Sequence, residues 1–452
     1  MKAKTGFLEQ RGRKKRETKA LRGEKHSDWA DLEIPLGKRT RKYRMFEILP
    51  GALSYLMILL LFILSLISPI IGSYYLLLII ATTLVKAVGV VYRTVQGYNA
   101  AKRAEMVNWH ERLADLGNPH ERYEKLMALR KREFEFDEHV ENLKIMSVGK
   151  DLVLSEKVVD EDGKTPKIYF PKPKDVYHAV IMVAYNEGLE TLIPTVEAVK
   201  NGSLPNERII FVFGYEERGG EAMQENARVL AKKFKNDFYQ FIPVMHPKDL
   251  KDEIQGKGPN LDFAAAELVR FVKKERIPLE NVITTSLDSD NKMSKWYLDY
   301  VAYQFIVHPN RQKMSYQPVS LFTNNIWDAP APMRIIAISN SFFNIISSMR
   351  SHTLKNFASH SQPLLALSQM GFWSKKTIVE DGHQYWRSLF FFHGDYEVLP
   401  IHVAIYQDAV MEETFLKTLK AQFIQLRRWD YGASDVAYVG VRLFSKERKT
   451  VG

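Results

Sequence analysis

The 452-residue sequence contains no cysteine. Disulfides, thiolate metal sites and cysteine nucleophiles are therefore excluded, and the absence suits a reducing compartment without requiring one. A net basic excess is also missing from most of the chain, although the formal net charge is +11. Residues 1–45 hold 15 Lys/Arg against 6 Asp/Glu, so +9 of the excess lies there and no long basic stripe follows. Nucleic-acid binding calls for such a stripe, and nucleic acid is not an expected partner. Charge of either sign vanishes between Glu47 and Lys86, a run of 38 positions.

One helix of that length would measure about 57 Å, nearly twice the ~30 Å hydrocarbon core of a bilayer. Ser68-Pro69 and Gly72-Ser73 interrupt it near the middle. The pattern predicts two membrane spans, roughly 46–68 and 70–92, joined by a tight turn, with Lys86 near enough to an end to snorkel outward. Lys38, Arg39, Arg41, Lys42 and Arg44 precede the pair, and Arg93, Lys102 and Arg103 follow it. Basic flanks on both outer ends put the tail and the bulk of the chain in the cytoplasm, the tail against anionic lipid. A cleavable signal peptide does not fit an apolar stretch of double length that begins so late. The alternative is a helical hairpin buried in a soluble core.

The remainder is long enough for a sizeable globular core, and a mean hydropathy of −0.25 describes a mostly soluble protein. Residues 94–172 read as a charged helical connector broken at Gly117-Asn118-Pro119, closing on a polar, proline-containing stretch from Glu161 to Pro173. From Val176 apolar runs of strand length (176–185, 208–214, 238–245, 281–287) alternate with helical patterns (189–200, 221–235, 260–274). This alternation predicts an α/β fold with a mainly parallel sheet covered by helices on both faces. Ligands of such sheets bind beyond the carboxyl ends of the strands.

Acidic residues gather at those ends. The first strand closes in Ala184-Tyr185-Asn186-Glu187, the second in Gly214-Tyr215-Glu216-Glu217, the fourth in Asp288-Ser289-Asp290. Carboxylates so placed repel one another unless a cation compensates, and hard oxygen ligands favour Mg²⁺ or Mn²⁺. Each could instead be a turn former. Lys257 opens a helix in Gly256-Lys257-Gly258-Pro259-Asn260, a setting that suits phosphate. Glu380-Asp381 precede a helical stretch and could cap it or supply a general base. Gln425, Arg428 and Trp429 fall at i, i+3 and i+4, on one face of a helix. There an arginine could hold a diphosphate and an indole a sugar, or the helix could rest on lipid.

In this order, Tyr-Asn-Glu, Asp-x-Asp, Glu-Asp and Gln-x-x-Arg-Trp resemble the family 2 glycosyltransferases of GT-A fold. The resemblance is to the membrane synthases of the cellulose, hyaluronan and poly-N-acetylglucosamine type, and it runs from about Val176 to Trp429. It implies a GT-A domain over 173–410, preceded by the transmembrane hairpin at 46–93 and followed by amphipathic interface helices at 411–452. It also implies residue roles. Ala184, Tyr185, Glu187 and Glu216 would line the nucleotide pocket, Lys257 would lie by the donor phosphates and Asp288 would face the donor. Asp290, with Asp288, would bind Mg²⁺ or Mn²⁺ on a UDP diphosphate. Asp381, beside Glu380, would be the catalytic base, and Gln425, Arg428 and Trp429 would close over diphosphate and acceptor. The implied activity is an inverting sugar transfer from a nucleotide-sugar donor at the cytoplasmic membrane face. The acceptor would be a growing glycan, or a lipid-linked one receiving a single sugar.

Departures from the pattern shape the expectations. Glu216-Glu217 stand where the family has an Asp pair, and the segment 316–333 is unlike the synthases. No long apolar span follows Gln-x-x-Arg-Trp, so either the sequence is truncated or it does not export polymer unaided, leaving room for a membrane partner subunit. A catalytically silent membrane scaffold and a metal-dependent phosphohydrolase are the readings from other classes.

Overall fold

The computed structural model describes residues 32–35, 37–129, 131–148 and 170–444; the tail up to residue 31 and the polar stretch at 161–169 lie outside the described residues. Two long helices come first, α1 (Arg41–Ile67) and α2 (Pro69–Glu105). The Thr40 hydroxyl caps α1 by accepting the Tyr43 amide at 3.2 Å. Ser68 is extended, and Pro69 opens α2 at the one place where a missing N–H costs nothing. The turn thus falls where the sequence predicts it. The second helix, however, runs past the expected end at residue 92 to Glu105. At ~1.5 Å per residue the helices extend about 40 and 55 Å. Both are long and apolar enough to cross a membrane.

Three short helices follow, α3 (Trp109–Asp115), α4 (Pro119–Leu126) and α5 (Phe136–Val148), with the break at Pro119 as the sequence suggests. The α/β unit is then β1 (Tyr177–Ala184), α6 (Leu189–Lys200), β2 (Ile209–Glu216), α7 (Gly220–Lys233), β3 (Gln240–His246), α8 (Lys257–Lys274) and β4 (Val282–Asp288). Its second half comprises β5 (Lys292–Met293), α9 (Tyr297–Val307), β6 (Met314–Phe322), α10 (Ala331–Ser348), β7 (Ser361–Pro363), α11 (Leu364–Gln369), α12 (Glu380–Phe391) and β8 (Glu397–Gln407). Two helices close the described chain, α13 (Phe415–Asp430) and α14 (Ser434–Leu443).

All eight strands form one mixed sheet in the order β3-β2-β1-β4-β7-β6-β8-β5. Strands β3, β2, β1 and β4 are mutually parallel, with Met182 level with both Phe213 and Leu287. Strand β7 runs antiparallel to β4 and β6, and β8 is parallel to β6. Alternate residues of β1 serve two cores. Val180 and Met182 pack with α6, α7 and α9, whereas Ala179, Ile181 and Val183 pack with α8 and α11. Burial on both faces explains why these strands read as continuous apolar runs.

The hairpin is bolted to this unit. Glu105, the last residue of α2, accepts the Ser294 hydroxyl at 2.8 Å and the Ala404 amide at 3.2 Å. A Cβ on Gly97 would lie 2.6 Å from the Ile345 carbonyl oxygen, so α2 reaches α10 only because the side chain is absent. Helix α14 approaches α1 in the same way, with Phe46 against Gly440. Ahead of α1, Leu32 and Ile34 are buried, and Glu33 pairs with Arg387 at 3.3 Å and accepts the Ser374 hydroxyl at 2.6 Å. The Tyr438 hydroxyl donates to the Leu32 carbonyl at 3.1 Å.

Gly97→Ala forces α2 and α10 apart and is expected to cost about 1–3 kcal/mol, the range for overpacking. Gly51→Ala, where a Cβ meets nothing within 4 Å, leaves stability unchanged or raises it. Thermal unfolding of the two variants in the same detergent checks the contrast.

Candidate active site

Three parallel strands end on one edge of the sheet, and the side chains there face a cavity of about 910 Å³, the scale of a substrate pocket. Ala184, Tyr185 and Glu187 line it from the end of β1, Glu216 from β2, and Asp288 and Asp290 from β4. Lys257 lines it from the start of α8, Glu380 and Asp381 from the start of α12, and Gln425, Arg428 and Trp429 from α13. Every candidate residue singled out from the sequence therefore lies on one cavity, Asp290 and Asp381 included. Of the Glu216-Glu217 pair only Glu216 lines it, and Glu217 instead accepts the Lys248 amide at 3.0 Å.

Lys257 is the electrostatic centre. Its ammonium lies 2.5 Å from Asp288 Oδ1 and 3.8 Å from Glu380 Oε1. Burial works against its charge, but attraction to Asp288, Glu380 and Asp381 outweighs burial and raises its pKa, so it stays protonated. The carboxylates around it are pushed up. Burial raises Glu380 to about 7, Lys257 pulling it down and Asp381 pushing it further up. Burial also raises Asp381, against the pull of Lys257 and the Gly382 amide that donates to its Oδ1 at 2.7 Å. Asp290 rises to about 7 through burial and through repulsion from Asp288 and Asp408. Asp288 has its lysine; Asp290 has no cation at salt-bridge distance among the described residues.

That imbalance suits a divalent cation. Among the described residues no three His, Asp or Glu side chains form a ready-made cage. Mg²⁺ and Mn²⁺ sites that act on phosphates need only one or two carboxylates, the rest of the shell being water and phosphate oxygen. Asp290, with Asp288 and Asp408 close enough to repel it, offers that donor set.

Other side chains in the cavity are already engaged. The Glu187 carboxylate accepts the Tyr185 and Asn186 amides at 2.7 and 3.0 Å, which fixes the turn after β1. The Asn260 amide donates to the carbonyls of Ala184 and Gly214 and so ties β1, β2 and α8 together. The Arg218 guanidinium lies 5.0 Å from the Tyr185 ring centre. Trp429 meets Phe322 edge-on, and Gln425 accepts from Gln422 at 3.1 Å.

Sequence reasoning missed three features. Asp408, just beyond β8, lines the cavity. Its signal, an apolar run ending in an acid (Ile401–Asp408), is the one that found the other strand ends. Arg218 lines it too and shares the Glu216 carboxylate with His246, at 3.2 Å each. His246 bridges Glu216 and Glu253, and Glu253 pairs with Lys375 at 2.7 Å. Nothing local in the sequence announces that chain of charges.

No protein-family model and no curated protein matches the chain. Among solved structures it is similar to the mannosyltransferase PcManGT of Pyrobaculum calidifontis in complex with GDP-Man and Mn²⁺, at 11% identity over 80% of this chain and 89% of that one, TM-score 0.34. It is also similar to S. aureus TarS 1–349, at 13% identity over 60% of this chain and 73% of that one, TM-score 0.35. The same fragment in complex with UDP gives 14% identity and a TM-score of 0.34.

The bridging imidazole gives stability a pH dependence. Burial opposes the charge on His246, but hydrogen bonds to Glu216 and Glu253 outweigh it and push the pKa up to about 9. In the unfolded chain the value is the ordinary ~6.5. The stabilisation is therefore fully present below pH ~6.5 and is lost as pH rises through about 9. On the order of 2 kcal/mol is at stake near pH 7. Thermal unfolding followed from pH 6.5 to 9.5 is expected to show a falling midpoint in the wild type and a flatter profile in His246→Gln.

Proposed function

We propose that this chain is a membrane-anchored, metal-dependent glycosyltransferase of the family 2, GT-A type. In this reading it takes a sugar from a nucleoside diphosphate donor, UDP by resemblance, and works at the cytoplasmic face. The observation that carries the reading is the convergence of Lys257, Asp288, Asp290, Glu380, Asp381 and Arg428 on one cavity at the carboxyl edge of the sheet. Two cations and a set of carboxylates sharing a cavity suit a diphosphate leaving group opposite a hydroxyl nucleophile. A hydrolase of simple phosphate esters has no use for the indole of the Gln-x-x-Arg-Trp helix.

The nucleotide lies against the ends of β1 and β2, with Tyr185 and Glu216 at the base and ribose. Lys257 and Arg428 meet the diphosphate. Asp290, with Asp288 and Asp408 beside it, would hold the divalent cation, which would supply positive charge to a diphosphate leaving group. Asp381 accepts the proton of the acceptor hydroxyl. The hydroxyl oxygen bonds to the anomeric carbon as the bond from that carbon to the phosphate oxygen breaks, its electron pair leaving with the nucleoside diphosphate. One displacement inverts the anomeric configuration. Lys257 keeps Glu380 and Asp288 from accumulating uncompensated charge beside the base, and Trp429 offers the acceptor sugar a flat apolar face.

Asp381→Asn is expected to lower the rate of sugar transfer by 10²–10⁴-fold, the usual contribution of a general base, while leaving nucleotide binding intact. Asp290→Asn is expected to lower transfer and to weaken the dependence on added Mn²⁺. Release of nucleoside diphosphate from a panel of nucleotide sugars, with membranes containing the full chain, measures both. Inorganic phosphate as the product, or wild-type rates in both variants, would overturn the assignment.

A further inference from the structure

A second hollow of about 390 Å³ adjoins the catalytic cavity. Phe46 and Leu49 of α1, Trp386 of α12 and Val439 of α14 contribute to its apolar wall. Phe46 and Leu49 stand near the start of the first helix long and apolar enough to cross a membrane, so the hollow lies where such a helix joins the catalytic unit. The two spaces share lining residues, and two of them are Gly382 and Gly432. A Cβ on Gly432 would meet nothing within 4 Å, and one on Gly382 would touch only the Asn356 carbonyl, at 4.0 Å. The passage between the spaces is therefore bordered by backbone and free of side chains at these two points, one of them directly after Asp381.

The hollow has one side-chain cation, Lys355. Its ammonium lies 4.4 Å from the Trp386 ring centre and has no carboxylate at salt-bridge distance among the described residues. The carboxylate lining the same hollow, Asp435, meets His383 at 2.6 Å and attracts Lys355 only from beyond salt-bridge distance. A partly buried ammonium resting on an indole is poorly solvated and gains from an anion. An apolar wall, an unpaired cation at its side and an open way to a base together fit an amphipathic molecule.

We infer that this hollow is the acceptor subsite, and that the acceptor is a lipid with an anionic, phosphate-bearing headgroup. Its hydrocarbon chain lies along Phe46, Leu49, Trp386 and Val439. Its phosphate meets Lys355, and its free hydroxyl passes Gly382 to reach Asp381. The inference rests on the transferase reading and adds to it the class of acceptor. It favours transfer to a membrane lipid over extension of a free glycan.

The test uses the full chain in nanodiscs of phosphatidylcholine, with 2,3-dibromododecyl phosphate, its bromines next to the headgroup, as probe and bromine quenching of Trp386 fluorescence as readout. Saturable quenching that disappears in Trp386→Phe is expected. Lys355→Met is expected to raise the half-saturating concentration at least tenfold, and Lys355→Arg to restore it. Each buried methylene is worth roughly fourfold in affinity, so butyl phosphate should compete far less well than dodecyl phosphate. Binding of UDP and GDP with Mn²⁺, measured by calorimetry on the same samples, should not change in the Lys355 variants and shows that they fold. Quenching that persists in Trp386→Phe would place the chain elsewhere on the apolar helices and overturn the proposal. So would equal binding of the uncharged dibromododecyl glucoside, or competition by inorganic phosphate as strong as by the dodecyl ester. Failure of both nucleotides to bind the wild type counts against the transferase reading itself. Normal nucleotide binding without Trp386 quenching counts against the subsite alone.

Discussion

The site is organised around one ammonium group. Lys257 sits where the ends of β4 and α12 come together, and the carboxylates of Asp288 and Glu380 can share that space because a cation stands between them. Its position follows from the fold. Helix α8 begins at Lys257, packs along one face of the sheet and is pinned by Asn260 to carbonyls at or near the ends of β1 and β2. The lysine thereby links the β1–β2 side of the cavity to the side that carries Glu380 and Asp381. Asp290, two residues beyond Asp288, lacks such a partner and keeps a carboxyl whose charge is held back by burial and by its acidic neighbours. Paired and unpaired acids within one cavity are what separates a structural contact from a site for an exchangeable cation.

How much of this was legible in the sequence depended on where each residue finds its partners. The parallel strands are buried on both faces, so they stand out as apolar runs, and the acids that end them mark the edge that carries the cavity. Strand β6 gave no such signal. It contains Pro318 and several polar residues, and these are tolerated because their partners come from elsewhere: Ser315 donates to Asn356, and Gln317 accepts the Phe357 amide at 2.7 Å. The bulge at Pro318/Val319 further breaks its period. The hairpin turn was readable because Ser68-Pro69 acts locally. The true end of α2 was not, since Gly97 and Glu105 have meaning only against Ile345, Ser294 and Ala404.

The same division applies to the site. The ordered motifs brought together residues that line one cavity, most of them at or just beyond an element end, where local pattern is strongest. The Arg218–Glu216–His246–Glu253–Lys375 chain of charges escaped, because its members come from separate elements and meet only in three dimensions. It joins the end of β2 to the segment that leads into α12. Glu216 and the loop before Asp381 are therefore parts of one electrostatic unit, although 165 positions separate the two residues.

The contacts of residues 32–35 have a mechanical meaning. The α/β unit grips the chain on both sides of the pair of long helices, through Leu32, Glu33 and Ile34 before it and through Glu105 at its end. A body mounted at a single joint can swivel, whereas one mounted at two separated joints cannot turn without breaking one of them. The cavity consequently keeps a set height and heading relative to the hairpin. Whatever reaches Asp381 must come to a fixed address, because the cavity does not lean over to collect it.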